Sequence, residues 1–370
     1  MIAVFQAAVF LGHWLIYVTL VRFLGLQGTA ALRSAFAALS ISFLAASVLV
    51  FRRRGRLVSA FYSFSAAWMG FFHFLFWSSV LCWIVHWAYA ALGLDSGGLT
   101  AALLAVGPAA GFYGIANALN PRIKKINFAF PEPPAGQNPG RDAHGFWSGK
   151  TAVFISDLHL GPVRGARFAG RVAKRIREIG PDILFIGGDL YDGAKTDAGG
   201  FFLKPFAQIN PLLGTYFITG NHEEFSGSAK KSYEAAATEA GMTVLDNRMV
   251  EIGGLRVVGV DYLGTHTRAQ YRRVLREMGL GGGRPVLLLK HSPMYPDVSI
   301  EEGVTFELCG HTHKGQIFPY GIITHYVYGG FDSGLRKLGG LTLYTSTGAG
   351  TWGPPMRVGN RPEIVVVRFT

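Results

Sequence analysis

Charge is scarce in this chain of 370 residues: Asp, Glu, Lys and Arg make up 16%, against roughly 25% in an ordinary soluble domain. Acid is scarcest at the front, where Asp95 is the one acidic residue in the first 120. Cysteine is limited to Cys82 and Cys309, too few for a disulfide framework or a four-thiolate zinc site. A hydrophobic content of 49% excludes a disordered chain. The 49 glycines and 17 prolines follow no triplet period, which excludes a collagen-like one. The length exceeds what one compact domain usually needs. A net charge of +12 suggests nucleic acid or an anionic membrane surface. Its distribution along the chain separates the two.

Six of the 35 basic and one of the 23 acidic residues fall in the first 120, leaving 29 and 22 for the rest. Apolar runs cover Ile2 to Val21, Ala30 to Phe51, Leu57 to Leu94 and Leu99 to Leu119. Each reaches the ~20 residues that cross a ~30 Å hydrocarbon layer. A cleaved signal peptide would account for the first run alone, and that run lacks a basic start. The third run is long enough to hide two spans. With four spans, Arg52, Arg53, Arg54 and Arg56 share a side with Arg122, Lys124 and Lys125, and Arg22 and Arg33 take the other. That asymmetry obeys the positive-inside rule, and a fifth span would break it. The expectation is a four-helix transmembrane bundle over residues 1–120, both termini cytoplasmic, with a third helix that tilts or reaches into the headgroups. Trp68, Trp77, Trp83 and Trp87 read as an interfacial belt and bundle packing rather than a lipid-binding face. His13, His73 and His86 have no acid partner in these runs and read as helix-to-helix hydrogen bonds.

Residues 121–150 read as a linker with the first strand of the next domain, and Pro131 to Gly140 as loop. From Thr151 to Thr370, short apolar strands alternate with helical-period segments, the pattern of an α/β domain. Five strand-like runs each empty into hard ligands: Asp157-Leu158-His159, Gly188-Asp189-Leu190-Tyr191-Asp192, Gly220-Asn221-His222-Glu223, His291, and Gly310-His311-Thr312-His313. Open α/β sheets place their sites beyond the carboxyl ends of strands. Carboxylate, amide oxygen and imidazole without thiolate suit divalent manganese, iron, zinc or magnesium. A carboxylate shared by two ions would clamp a phosphate and activate water, and Asp189 is the candidate for that bridge. Gly188, Gly220 and Gly310 precede three of the ligands, where a Cβ would obstruct a tight turn.

The order DxH, GDxxD, GNH(D/E), a lone His and GHxH resembles the calcineurin-like metallophosphoesterase superfamily over roughly Phe128 to Phe369. The run Gly310-His311-Thr312-His313-Lys314-Gly315-Gln316 and the tail Gly348-Ala349-Gly350 through Arg361-Pro362-Glu363-Ile364 are similar to its membrane-associated, YkuE-like branch. The resemblance implies an α-β-β-α sandwich and a metal-dependent phosphoric ester or pyrophosphate hydrolase with two divalent metal ions, manganese foremost. It implies one ion on Asp157, His159, Asp189 and His313, and the other on Asp189, Asn221, His291 and His311. It further implies that His222 faces the scissile phosphate and that Asp192 orients its ring. Two positions depart from the branch: Lys314 stands where glycine is common, and Asp261-Tyr262 where a pair of acids is frequent, so Asp261 is given no role.

A tether of four spans fits a lipid phosphate ester better than a freely diffusing nucleotide. Membrane-bound members of the superfamily cleave the pyrophosphate of UDP-diacylglucosamine in lipid A synthesis, which implies a lipid-linked substrate at a bacterial inner membrane with the catalytic domain cytoplasmic. The alternatives are a broad phospholipid or nucleotide phosphodiesterase, and a membrane receptor or scaffold that keeps the metal site without turnover. Arg164 and Lys314 are candidate substrate contacts, and Arg167, Arg171, Lys174, Arg175, Arg336 and Lys337 are further basic candidates, although a solvated helix face is the better reading of the basic residues after Gly161 and near Arg336. Phe201-Phe202-Leu203 either dips into lipid or caps the core. Nucleic acid is not an expected partner, because aromatic residues do not interleave with the basic run after Gly161.

Overall fold

The computed structural model describes residues 2–53, 55–130, 141–193, 200–227, 229–280 and 283–370. The proline-rich stretch 131–140 lies outside them. Contacts divide the chain into two units: Met1–Asn117 with Gly353–Val358, and Ala118–Trp352 with Gly359–Thr370.

The first unit turns every apolar run into helix: α1 (Ile2–Leu24), α2 (Ala30–Arg52), α3 (Arg56–Ala91) and α4 (Gly97–Ala118). All four are long and apolar enough to cross a membrane. The third run is one continuous helix of 36 residues, about 54 Å at 1.5 Å per residue and well beyond a ~30 Å hydrocarbon layer. Buried polar side chains tie α3 to its neighbours. Trp68 Nε1 donates to His13 Nε2 at 2.9 Å, while His13 Nδ1 meets Val9 O at 2.8 Å, so His13 is a neutral ring with both nitrogens engaged. Trp83 Nε1 donates to Thr19 Oγ1 at 2.9 Å, and His86 Nδ1 lies 3.1 Å from Ser96 Oγ. Such bonds hold helices together where apolar contact alone gives no preference over lipid. Small residues do the rest: a Cβ on Gly111 would meet the Phe71 ring at 2.3 Å, so only glycine lets α4 close on α3 there. Cys82 and Cys309 are buried free thiols.

The second unit is an α/β sandwich. Its elements are β1 (Arg122–Phe128), α5 (Arg141–Trp147), β2 (Thr151–Ile155), α6 (Ala166–Ile179), β3 (Ile183–Gly187), β4 (Thr215–Ile218), α7 (Asn221–Glu224), α8 (Ala229–Glu239) and β5 (Met242–Val244). There follow β6 (Arg248–Ile252), β7 (Leu255–Val260), α9 (Arg268–Glu277), β8 (Val286–Lys290), α10 (Pro296–Glu301), β9 (Phe306–Cys309), α11 (Tyr320–Val327), β10 (Gly334–Leu338), β11 (Leu341–Thr345) and β12 (Glu363–Phe369). One six-stranded sheet runs β1-β12-β2-β3-β4-β5, and the other β10-β11-β9-β8-β7-β6. The central strands β2, β3, β4 and β7, β8, β9 are parallel to their neighbours within each set.

Strand alternation explains the layers, since successive side chains point to opposite faces. Ala152 and Phe154 of β2 join Leu287 and Leu289 of β8 in the core between the sheets. Val153 and Ile155 face the other way, against Phe168, Val172 and Ile176 of α6. Val286 and Leu288 likewise pack under Tyr271 and Leu275 of α9. Burial on both faces makes these strands read as unbroken apolar runs. Of the loop Phe201-Phe202-Leu203, Leu203 is fully buried and Phe202 packs on the α6 core, so it caps the core and leaves only Phe201 exposed.

One ionic pair sits inside the second sheet. Lys290 on β8 and Glu307 on β9 are both fully buried, with Nζ 2.9 Å from Oε1. Lys290 also donates to Met294 O at 2.7 Å and lies 4.5 Å over the Tyr271 ring. Glu307 receives Ser299 Oγ and the Cys309 thiol, the latter at 3.1 Å; burial and that carboxylate push the thiol well up, which keeps it a donor. The pair joins the strand ends that carry His291 and His311. Lys290→Met leaves Glu307 charged and unpaired, and should cost about 3–5 kcal/mol, whereas the double variant with Glu307→Leu should recover most of it. Thermal unfolding of the two purified variants checks both values.

Candidate metal centre

Five strands from the two sheets end at one place. β2 releases Asp157 and His159, β3 Asp189, β4 Asn221, β8 His291, and β9 His311 and His313. The loops are stitched to each other by main-chain bonds: Asp157 N to Gly188 O and His159 N to Asp189 O, both 3.0 Å, and Gly310 N to His291 O at 2.9 Å. Space is tight. A Cβ on Gly188 would lie 2.6 Å from His291 Nδ1, one on Gly220 2.2 Å from Asp189 Oδ1, and one on Gly310 2.4 Å from Asp157 Oδ2. The three glycines singled out in the sequence therefore stand where the donor side chains pass.

The backbone at the donors is bent into the left-handed region. Asp157, His159, Asp189, His311 and His313 have φ of 55°, 49°, 50°, 73° and 48°. Each such residue costs about 1–2 kcal/mol relative to an ordinary conformation, and strain of this kind concentrates at functional sites. Lys314 has φ 49° as well, which gives glycine a steric advantage at that position.

The side chains converge as follows. Donor atoms of Asp157, His159 and His313 lie within 4.8 Å of one another, and so do those of Asp189, His291 and His311. His159 Nε2 and His313 Nε2 are 3.0 Å apart. His291 Nε2 lies 3.2 Å from Asp189 Oδ2 and 3.2 Å from Asn221 Oδ1. The same Asp189 oxygen is 3.7 Å from His159 Nε2, so one carboxylate oxygen stands between the two groups. His291 Nδ1 donates to Gly187 O at 2.7 Å, which fixes the tautomer and leaves Nε2 to face the oxygens.

A divalent cation fits this donor set. Imidazole nitrogens and carboxylate and amide oxygens meet at 3.0–3.7 Å, an arrangement that shared protons or a bound cation would each make favourable. Cis ligands with bonds of about 2.1 Å stand about 3.0 Å apart in octahedral geometry, the separation of the His159 and His313 nitrogens. Protonation tells the same story. Burial alone would raise the Asp189 carboxyl, yet His291 foremost, with His159 and His222, holds it well below the usual range. Against burial, Asp189 and Asp157 pull His291 up to about 10, while burial and the neighbouring His291 hold His311 down to about 3.

His222 stands beside these groups with 17% of its side chain open. Its ring meets His159 edge-on at 4.6 Å, and it shares a further 4.8 Å cluster with His159 and Asp189. Its Nδ1 lies 3.1 Å from the main-chain O of Asp192 and 4.0 Å from that residue's carboxylate. The carbonyl thus sets the ring's tautomer. The Asp192 carboxyl is 3.7 Å from His159 Nδ1, and burial together with the Asp189 charge raises it well above its usual range.

Arg164 is 4% exposed, and its Nε donates to Thr351 Oγ1 at 2.9 Å. Its Nη2 has no hydrogen-bond partner among the described residues, and burial, then Arg171, brings the guanidinium down to about 10. Thr351 follows Gly350, whose N–H donates to Asp157 O at 2.8 Å. Arg167, Arg171 and Lys174 stand on the open face of α6, and Lys314, Arg336 and Lys337 are exposed.

Two kinds of residue escaped the sequence reading. Glu223 accepts from Asp189 N, Gly220 N and Tyr191 N at 2.8–3.0 Å, and burial followed by Asp189 pushes it to about 7. Its position three residues after Gly220, at the start of α7, is the capping-box position that could have signalled it. Aromatic rings border the donors: Tyr262 lies 5.6 Å from His311, Tyr328 5.9 Å from His311, and Trp352 5.9 Å from His222. Tyr262 and Trp352 lie in stretches compared with the family branch, yet neither ring was given a role.

The chain is similar to known proteins. Residues 150–315 match the family described as Calcineurin-like phosphoesterase. An uncharacterized metallophosphoesterase of Aquifex aeolicus is 34% identical over 219 residues, 57% of this chain and 82% of that protein. The uncharacterized metallophosphoesterase YkuE of Bacillus subtilis is 30% identical over 240 residues, 60% of this chain and 79% of that one. A transmembrane protein with metallophosphoesterase domain from Danio rerio is 28% identical over 274 residues, 68% of this chain and 58% of that protein. The chain spans just under three fifths of the length of several such curated relatives. Identity at this level across four fifths of a relative, with the matched residues carrying the donor loops, makes this chain a member of the calcineurin-like metallophosphoesterase family.

Proposed function

We propose that the protein is a membrane-anchored phosphoesterase with two divalent metal ions, manganese foremost, that hydrolyses a phosphodiester or pyrophosphate of a lipid-linked substrate. The observation that carries this reading is the Asp189 oxygen, 3.2 Å from His291 Nε2 on one side and 3.7 Å from His159 Nε2 on the other. Asp157, His159, Asp189 and His313 would hold one ion, and Asp189, Asn221, His291 and His311 the other. When bound, such a pair supplies a nucleophilic water at neutral pH and offsets the negative charge of the phosphoryl group.

The chain's own residues do the remainder. Glu223 holds the Asp189 main chain in place, and Gly187 O fixes the His291 tautomer. With Nδ1 engaged by Asp192 O, His222 presents Nε2 to the substrate, where it can give a proton to the leaving oxygen. Arg164 Nη2 has the chemistry to donate to a phosphate oxygen, since a buried guanidinium gains most from an anion. The four apolar helices favour a substrate that shares the membrane, and the pyrophosphate of UDP-diacylglucosamine fits the class as a diester does. Seven basic residues, Arg52, Arg53, Arg54, Arg56, Arg122, Lys124 and Lys125, against Arg22 and Arg33 support a cytoplasmic catalytic unit in an inner-membrane protein.

Purified protein loaded with manganese should cleave a chromogenic phosphodiester, and Asp189→Asn should lose both bound metal, by mass spectrometry, and turnover. His222→Ala should keep its metal and lose about 10²–10⁴-fold in rate; loss of metal would make His222 a ligand instead. Wild-type protein carrying its full complement of metal but hydrolysing neither diesters nor membrane lipid extract would sink the enzymatic reading. Arg164→Met should raise KM by roughly tenfold, the loss of one charge-assisted contact, with metal content unchanged.

A further inference from the structure

The helix after the last donor loop is built inside out. Ile322, Ile323, Tyr326 and Val327 recur at i, i+1, i+4 and i+5, one stripe of α11. A stripe of that kind ordinarily faces a core. Here its members and the preceding Phe318 are 56–80% exposed, and α11 has no buried residue. Thr324 and Tyr328, on the other side, are half-buried. Contiguous exposed apolar surface on a folded domain marks a site of contact with something apolar.

Its rim is cationic. Arg336 of β10 donates to Gly330 O at 3.3 Å, which sets a guanidinium beside the end of α11, and Lys337 follows it, exposed. Isoleucine, valine, phenylalanine and tyrosine bordered by arginine and lysine is the composition of a segment that lies in a headgroup layer. Another protein surface would gain equally from the apolar stripe, but this chain already carries four helices fit to cross a bilayer. Trp352, also exposed, is followed directly in sequence by Gly353–Val358, the six residues that group with those helices.

The stripe is coupled to the metal centre. His325 Nδ1 lies 3.1 Å from Asp332 Oδ1, and Asp332 O accepts the hydroxyl of Thr312, the residue between His311 and His313, at 2.6 Å. A Cβ on Gly315 would strike Gly321 N at 2.3 Å, so the donor loop presses on the first turn of α11. Gln316 grips the main chain of Trp352 with both ends of its amide, each at 2.9 Å.

We propose that the exposed stripe of α11, with Phe318, enters the headgroup layer of an anionic bilayer and holds the metal centre at the lipid surface, so that a lipid phosphate reaches it without crossing bulk water. The second half of this proposal rests on the phosphoesterase reading of the centre; the first half does not.

The test uses the full chain reconstituted in vesicles of phosphatidylglycerol and phosphatidylcholine. Tyr326→Cys carries an environment-sensitive nitrobenzoxadiazole dye, the native cysteines being buried. Leu212→Cys, 91% exposed and just ahead of β4 at the far end of the strands, is the control. Doxyl lipids labelled near the headgroup should quench the dye at position 326 and not at 212. Equal, weak quenching at both positions would overturn the proposal, and so would a ready disulfide between unlabelled Tyr326→Cys chains, which would assign the stripe to a second copy. Ile323→Ser with Tyr326→Ser should lower hydrolysis of vesicle phospholipid by roughly tenfold and leave a water-soluble diester unaffected. An equal loss on both substrates would overturn the coupling to lipid. Quenching at position 326 without hydrolysis of any lipid would support the insertion and sink the substrate reading alone.

Discussion

Ring nitrogens and oxygens packed 3.0–3.2 Å from one another need a proton or a cation between them, and the centre of this molecule is a cluster of such pairs. His159 and His313 present nitrogens to each other, and His291 presents one to Asp189 and Asn221, all in a buried volume. In water such groups would turn away; inside the sandwich they cannot. Five of the seven donors sit at left-handed backbone angles, which spread over a few residues amounts to several kcal/mol of opposition to folding. That opposition is tolerable because three separate apolar layers hold the strands whose ends the donors occupy. A cation bound there would take the place of the shared protons and favour the same packing, so that folding and metal affinity would be linked quantities.

The supporting groups are placed to resist relaxation of the cluster. Glu223 anchors three amides around Asp189, and the Lys290–Glu307 pair ties the two strands that present His291 and His311. Each is a buried charge satisfied by several partners. A half-satisfied version of either would be worse than an apolar replacement, so their complete wiring argues for geometry as their benefit. Stability alone is obtained more cheaply with leucine.

Much of this was legible in the chain. The apolar runs and the parity of basic residues gave four helices with an unbroken third, since span length and charge asymmetry are local properties. Strands buried on both faces announce themselves as apolar runs, and donors at their exits are read from residue type alone. What was not legible depends on tertiary placement. Tyr262 stood out only as a departure from the related branch, because nothing local says that its ring lies 5.6 Å from His311. The exposure of Ile322 and Val327 was not legible either, because it is decided by which neighbours are missing rather than by the residues themselves. Gly353–Val358 leaves one unit and groups with the other for six residues, too short a stretch for any periodic pattern.

Hard oxygen and imidazole donors around two cations are generic for phosphate. They bind the phosphoryl group and are indifferent to what it is attached to, so selectivity has to arise from the surroundings. Around this centre those surroundings are unequal. Towards α6 stands the buried Arg164 guanidinium, whose Nη2 has no hydrogen-bond partner among the described residues and is suited to a second charged oxygen. On the α11 side stand aromatic rings and an apolar stripe, suited to hydrocarbon. Under the function proposed above, a ligand that satisfies both has an anionic head and an apolar tail, and four helices long and apolar enough to cross a bilayer would keep such ligands at hand in two dimensions at high local concentration. The apolar helices, the outward stripe and the buried arginine arise from unrelated parts of the sequence, and under the proposed function each favours an amphiphile over a free nucleotide.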